Sequence, residues 1–282
     1  MSVKFANVDF GKDSGAPIRR MQIQWFDQWL KSKDAPIMSS PPAHIFVMGA
    51  NRWRDEQEWP PAQARMTAFY LSSRGPANTL DGDGTLDARP RRHSPPEHFE
   101  FDPASPVPTA GGATCCNPKL FAWGPMDQRA VERRSDVLVF STPPVREDLE
   151  VIGPVRVVLY AATSTPDTDF TAKLVDVFPN GEARNLTDGI LRLRYRDSLE
   201  KAQLATPGQI YELSIDTGVT SNVFLKGHRV RLEISSSNFP RFDRNPNTGR
   251  PIADETTLRK ASQIIYHDRQ HPSRLILPVL SN

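Results

Sequence analysis

Alternating apolar and polar positions dominate the chain from about residue 65 onward. Phe170, Ala172 and Leu174 alternate with Thr171 and Lys173. After Pro179, Asn180 and Gly181, the residues Ile190, Leu191, Leu193 and Tyr195 interleave with Arg192, Arg194 and Arg196. A period of two puts successive side chains on opposite faces of a strand. The Pro-Asn-Gly cluster supplies turn chemistry between the two runs. They predict a half-buried antiparallel pair over Phe170–Phe178 and Ala183–Tyr195. Similar runs predict strands at Thr67–Leu71, His98–Phe101, Asp136–Ser141, Val151–Ala162, Ile210–Asp216, His228–Ser236, Ala261–Tyr266 and Arg274–Val279. Many short strands separated by turn clusters imply a mainly β fold, an antiparallel sandwich over residues 62–282.

The first 61 residues follow another pattern. Ile18, Met21, Gln22, Trp25, Phe26 and Trp29 recur at helical spacing and form an aromatic stripe. Ser14 is a candidate cap, Pro17 falls near the first turn, and the helix should end near Lys33. HIFVMG, from His44 to Gly49, reads as an isolated strand of buried type, and RWRDEQEWP as a polar turn between Trp53 and Trp59. A short helical turn is expected around Glu255–Lys260.

Composition sharpens this picture in three ways. The 26 prolines lie between the periodic runs, as in Pro41-Pro42, Pro95-Pro96 and Pro103 through Pro108. Proline is excluded from helix interiors and central strands, so this density favours short strands and structured connections. The formal charge of +2, spread evenly, argues for neither nucleic acid nor an anionic membrane as partner. The densest basic cluster, Arg89, Arg91 and Arg92, reads as a solvated loop. Cys115 and Cys116 are adjacent and make no disulfide framework. No run approaches the ~20 apolar residues of a membrane span. The expectation is a soluble, cytoplasmic protein.

Several constellations invite chemistry and have simpler readings. Asp81, Asp83 and Asp87 recur like calcium ligands, but Leu86 and Arg92 stand where an EF-hand needs Gly and Glu. A glycine-rich turn fits better. His267 and His271 have helical metal spacing, yet Pro272 follows and the zinc-protease pattern is absent. Ser235 to Ser237, Asp169 and His228 could be assembled on paper into a triad, but all lie in strands or turns without a nucleophile elbow. His228 is better read as a structural residue at the start of its strand. Asn238, Arg241, Asp243, Arg244, Asn245, Asn247 and Thr248 form a polar loop that stiffens its own turn.

Specific runs also resemble a known family. VDFG (Val8–Gly11) and WFDQWLK (Trp25–Lys31), FVMGANRWRDEQEWP (Phe46–Pro60), FYLSSRGPANT (Phe69–Thr79), FDPASPVPTAGG (Phe101–Gly112), GPMDQRAVERRSDVLVFST (Gly124–Thr142) and SNVFLKGHRVRLEISSSNFPRFDRNPNTG (Ser221–Gly249) occur in that order. They resemble the C-terminal portion of the cocaine-esterase-like (CocE/NonD) serine hydrolases, relatives of X-Pro dipeptidyl peptidases and α-amino-acid ester hydrolases. The resemblance implies a jelly-roll (galactose-binding-like) β-sandwich over 62–282. It implies that residues 1–61 are the last helix and strand of an α/β-hydrolase catalytic domain. Acyl hydrolysis of an ester or amide by Ser, Asp and His, without a cofactor, is the family's chemistry. The catalytic residues would lie upstream, and no G-x-S-x-G elbow occurs in this sequence. The chain by itself is therefore expected to be inactive, with no catalytic residue and no metal ligand. Its partner would be a catalytic α/β-hydrolase half, or further copies of itself. The family's loop after the Gly pair lines the acyl pocket. Here that loop is Gly111, Gly112, Ala113, Thr114, Cys115 and Cys116, and the small cysteines would leave a roomy pocket. The competing reading is a free-standing sandwich that binds a ligand such as a carbohydrate. An aromatic-striped helix and a buried-type strand ahead of the sandwich are of no use to such a module.

Overall fold

The computed structural model describes residues 3–5, 8–114 and 122–281. A short ladder pairs β1 (Lys4–Phe5) with β2 (Val8–Asp9). Helix α1 spans Ile18–Lys31. A hairpin of β3 (Ala43–Val47) and β4 (Arg52–Glu56) follows. The sandwich begins with β5 (Ala64–Ser72), β6 (Thr85–Asp87) and β7 (Glu97–Phe101). A single helical turn, α2 (Arg129–Glu132), leads into β8 (Leu138–Ser141) and the long β9 (Leu149–Thr163). The central strands are β10 (Asp169–Val177), β11 (Ala183–Arg192), β12 (Tyr211–Phe224) and β13 (Arg229–Ser235). β14 (Ala261–Tyr266) and β15 (Arg274–Leu280) complete it.

Hydrogen bonding links the strands in the order β11-β10-β13-β8-β6-β5-β15-β9-β14-β7, with β12 also paired to β9. All these pairs are antiparallel except the single parallel contact of β6 with β8. The network folds back on itself. Phe170, Leu174, Leu232 and Ile234 from one layer therefore meet Val157, Leu159, Leu213, Ile215 and Leu275 from the other in one core. Each fully buried Leu or Phe there contributes about 1.5–3 kcal/mol relative to exposure.

The sandwich strands lie where the periodicity puts them, with informative differences. β12 runs to Phe224, well beyond Asp216, because a register shift between Asp216 and Val219 absorbs the Thr217-Gly218 step and pairing with β9 resumes. β11 stops at Arg192, and Leu193–Tyr195 turn into a 3-10 helix. The expected helical turn lies earlier, at Ile252–Asp254. β10 is buried at every residue rather than half-buried. The segment around α2 covers its second face. In the Asp81–Asp87 stretch, Asp83 accepts hydrogen bonds from the backbone N–H groups of Arg74 and Gly75, and Thr85–Asp87 form β6.

The N-terminal segment departs further. Ser14 does not cap α1; its hydroxyl accepts from Val3 N and donates to the Gly11 carbonyl. The 52–56 run is strand, not turn, and His44 stacks on Trp53 at 4.3 Å across the hairpin. β3 is therefore not isolated. Val47 is buried against Ile152, Val223 and Leu280. Met48 exchanges backbone hydrogen bonds with Ser221 and Val223 at the end of β12. The hairpin is thus docked on the sandwich, whereas α1 has no buried residue. Trp25, Phe26, Trp29 and Leu30 are 49%, 56%, 60% and 75% exposed.

That contrast makes a prediction. Trp25→Glu together with Trp29→Glu should leave the thermal unfolding of the sandwich unchanged and reduce self-association, because exposed apolar patches drive contacts between chains. Sedimentation velocity and calorimetry on the double variant check both halves. A drop in Tm comparable to that of a core substitution would mean the helix packs on the sandwich. No helix among the described residues is long and apolar enough to cross a membrane.

Candidate functional site

The loop singled out in the sequence leaves the sandwich through a narrow neck. Gly112 and Gly124 exchange backbone hydrogen bonds of 2.8 and 2.9 Å. Thr114 Oγ1 donates to the Ala122 carbonyl at 3.0 Å. Gly111 has φ +71°, and a Cβ there would sit 2.4 Å from the Gly124 carbonyl oxygen. Only glycine fits such a close approach at positive φ. Gly111, Gly112 and Thr114 therefore form one side of the neck. Cys115 and Cys116 lie outside the described residues.

Beneath the neck is a buried polar platform. Gln128 is fully buried, and its amide nitrogen donates to the carbonyls of Ala110 and Met126 and to Asn185 Oδ1. Asn185 Oδ1 also accepts from Met126 N. Two side chains thus hold both sides of the neck by their backbones. Gln128 is held in turn by Lys173, whose Nζ donates to Gln128 Oε1 at 2.8 Å and to Glu233 Oε2 at 3.0 Å. Arg231 pairs with Glu132 at 2.7 Å on the adjoining strand and helix. Burial, reinforced by the nearby Glu233 charge, pushes the Glu132 carboxyl up to about 7 although Arg231 pulls the other way. Asn238 and Arg241, from the polar loop, reach Asp188 at 2.6 and 3.2 Å. Burial raises the Asp188 carboxyl, and Arg241 offsets part of that rise.

The chemistry of this arrangement is positional. Among the described residues no nucleophile is hydrogen-bonded to a base on the platform, whose polar groups pair with one another across β10, β13 and α2. It can hold a loop in place, but it has no group poised for acyl transfer.

A family profile decides which molecule this is. The X-Pro dipeptidyl-peptidase C-terminal non-catalytic domain matches residues 36–276. The chain belongs to this family. It is 42% identical to a cocaine esterase of Rhodococcus sp. (strain MB1 Bresler), over 98% of this chain and 48% of that protein. Among solved structures, an α-amino acid ester hydrolase superposes with a TM-score of 0.83 at 31% identity, over 96% of this chain and 46% of that one. An aminopeptidase from a Thaumarchaeota archaeon of marine sediment gives a TM-score of 0.83 at 30% identity, over 98% and 46%. The chain spans about half the length of the proteins it matches. It is a C-terminal, non-catalytic portion of the CocE/NonD type, and the reading as a free-standing carbohydrate module is set aside.

The other sequence candidates disperse. Ser235 donates to the Asp136 carbonyl, Asp169 pairs with Arg192 and Asn245, and His228 pairs with Asp176. They form no triad. His267 is buried on Phe140, whereas His271 packs between Tyr160 and Tyr266. The sequence missed Gln128, Lys173, Glu132, Arg231 and Glu233. The one signal was charge recurring on the outward positions of β10 and β13, which reads as a solvated face until α2 covers it.

Proposed function

We propose that this chain is the accessory portion of a serine hydrolase that cleaves esters or amides through an acyl-enzyme. An α/β-hydrolase catalytic domain, for which residues 1–61 are the C-terminal remnant, supplies Ser, His and Asp. The sandwich over 62–282 carries the loop of Gly111, Gly112, Thr114, Cys115 and Cys116 to the edge of the acyl pocket. The exposed aromatic face of α1 is covered by the catalytic sheet. The observation that carries this reading is the neck at Gly112 and Gly124, anchored by Gln128 and Asn185 through three backbone groups, the carbonyls of Ala110 and Met126 and the N–H of Met126. A pocket wall has to be rigid, because misplacement by about 1 Å can cost a hundredfold in rate. The names of the matched esterase, ester hydrolase and aminopeptidase support an ester or amide as the bond cleaved.

The test uses the chain with and without a separately expressed catalytic half. Alone it should turn over no activated short-chain ester and take up no fluorophosphonate. Mixed with the catalytic half, both activities should appear, with the label on the catalytic half. Stoichiometric labelling of a serine in this chain would overturn the proposal.

A further inference from the structure

A second cavity lies away from the platform, where the N-terminal segment meets the sandwich. It encloses about 330 Å³. That is the lower end of the size range of small-molecule sites. Phe10, Met48, Leu186 and Leu225 are among its apolar walls. Gly49 turns the chain over the end of β12; a Cβ at its φ of +79° would meet the Val223 carbonyl at 2.3 Å. The cavity exists because that turn sits flat on the sandwich.

One end of the cavity is polar and built. Asp176 and His228 are both more than nine-tenths buried. His228 Nδ1 lies 2.9 Å from Asp176 Oδ1. An imidazole that donates from Nδ1 to a carboxylate is held in one tautomer, and its Nε2 then presents a lone pair. Among the described residues that Nε2 has no hydrogen-bond partner, and His228 lines the cavity. The His228 ring packs on Phe178 at 4.4 Å, and Arg184 covers Phe178 at 4.4 Å. Arg184 is itself engaged by Glu182 at 2.8 Å. The pocket thus offers an oriented imidazole acceptor beside an apolar wall, with Asp9, Asn51 and Asn222 also on its lining. An anion would face the Asp176 carboxylate, and a cation would lose hydration against apolar walls. A neutral molecule with one hydroxyl donor matches both parts.

We propose that this cavity is a binding site for a small phenol-like molecule, its ring against Phe10, Leu186 and Leu225 and its hydroxyl donating to His228 Nε2. The proposal is independent of the hydrolase reading, because no step of acyl transfer enters it.

The experiment titrates the full chain with 4-methylphenol, and separately with toluene, while the imidazole resonances are followed by NMR. 4-Methylphenol should shift the His228 resonances saturably. Toluene, lacking the hydroxyl, should bind about three- to tenfold more weakly, the worth of one net hydrogen bond. His228→Gln keeps a donor for Asp176 but removes the acceptor ring, and should bring 4-methylphenol down to the toluene affinity. Leu225→Trp should fill the space and abolish binding of both. Absence of a saturable shift overturns the site. Equal binding of the two probes by the native chain overturns the role of His228, and that comparison needs no variant to fold.

Discussion

Lys173→Met should lower the unfolding free energy by about 3–5 kcal/mol, a fall in Tm on the order of 10 °C for a domain of this size. The side chain is buried and nearly isosteric with methionine, so little packing is lost. What is lost is the ammonium that pairs with Glu233, whose other carboxylate oxygen has no partner among the described residues. Gln128 Oε1 loses its donor too. An uncompensated buried carboxylate is far costlier than the ion pair is stabilising. The control is the double variant Lys173→Met with Glu233→Leu, which removes both charges and should recover most of the loss. Urea unfolding of the three proteins decides it. If the double variant is as unstable as the single one, Lys173 acts through packing and not through charge. Because Lys173 holds Gln128, the single variant should also loosen the neck, read as faster amide exchange at Gly112 and Gly124.

The same platform should make stability fall as pH rises through neutrality. Glu132 titrates near 4.5 when unfolded and about 7 in the fold, because burial and the Glu233 charge outweigh Arg231. Between those values the folded state keeps a proton that the unfolded chain has released. Its contribution is therefore complete below about pH 4.5 and lost as pH passes 7, a swing of about 3 kcal/mol. This is opposite in sign to an ion-paired surface carboxylate, which stabilises at high pH. Glu132→Gln keeps an oxygen for Arg231 and cannot ionise. Urea unfolding at pH 5, 6, 7 and 8 should show the native chain losing about 2.5 kcal/mol relative to Glu132→Gln across that range. Parallel profiles would mean that Arg231 holds the Glu132 carboxyl at its ordinary value.

The strands were legible because period-two alternation is a local property. β10, β13, β14 and β15 begin and end within a residue or two of their patterns. Ser14 shows the limit of local reading. It stands where a helix cap belongs, yet its hydroxyl is taken by Val3 and Gly11, contacts that exist only once β1 and β2 fold over. β4 was hidden for the reverse reason. RWRDE has no apolar face of its own and becomes strand only by pairing with β3.

The sequence by itself determined the fold class, the succession of strands and the relationship to the non-catalytic portion of CocE/NonD hydrolases. Ordered motifs over the whole chain carry that information without reference to contacts. The resemblance also singled out Gly111 and Gly112, and the structure supplies the steric reason at Gly111, where a Cβ would meet the Gly124 carbonyl. Tertiary structure alone decided which polar residues matter. Lys173 on β10, Gln128 before α2 and Glu233 on β13 are 45 and 60 residues apart along the chain from Lys173, yet share hydrogen bonds. The His228 cavity likewise needs residues from Val8 to His228 brought to one place. Burial and charge pairing depend on what the fold lays over a strand's second face, and alternation along one strand is blind to that.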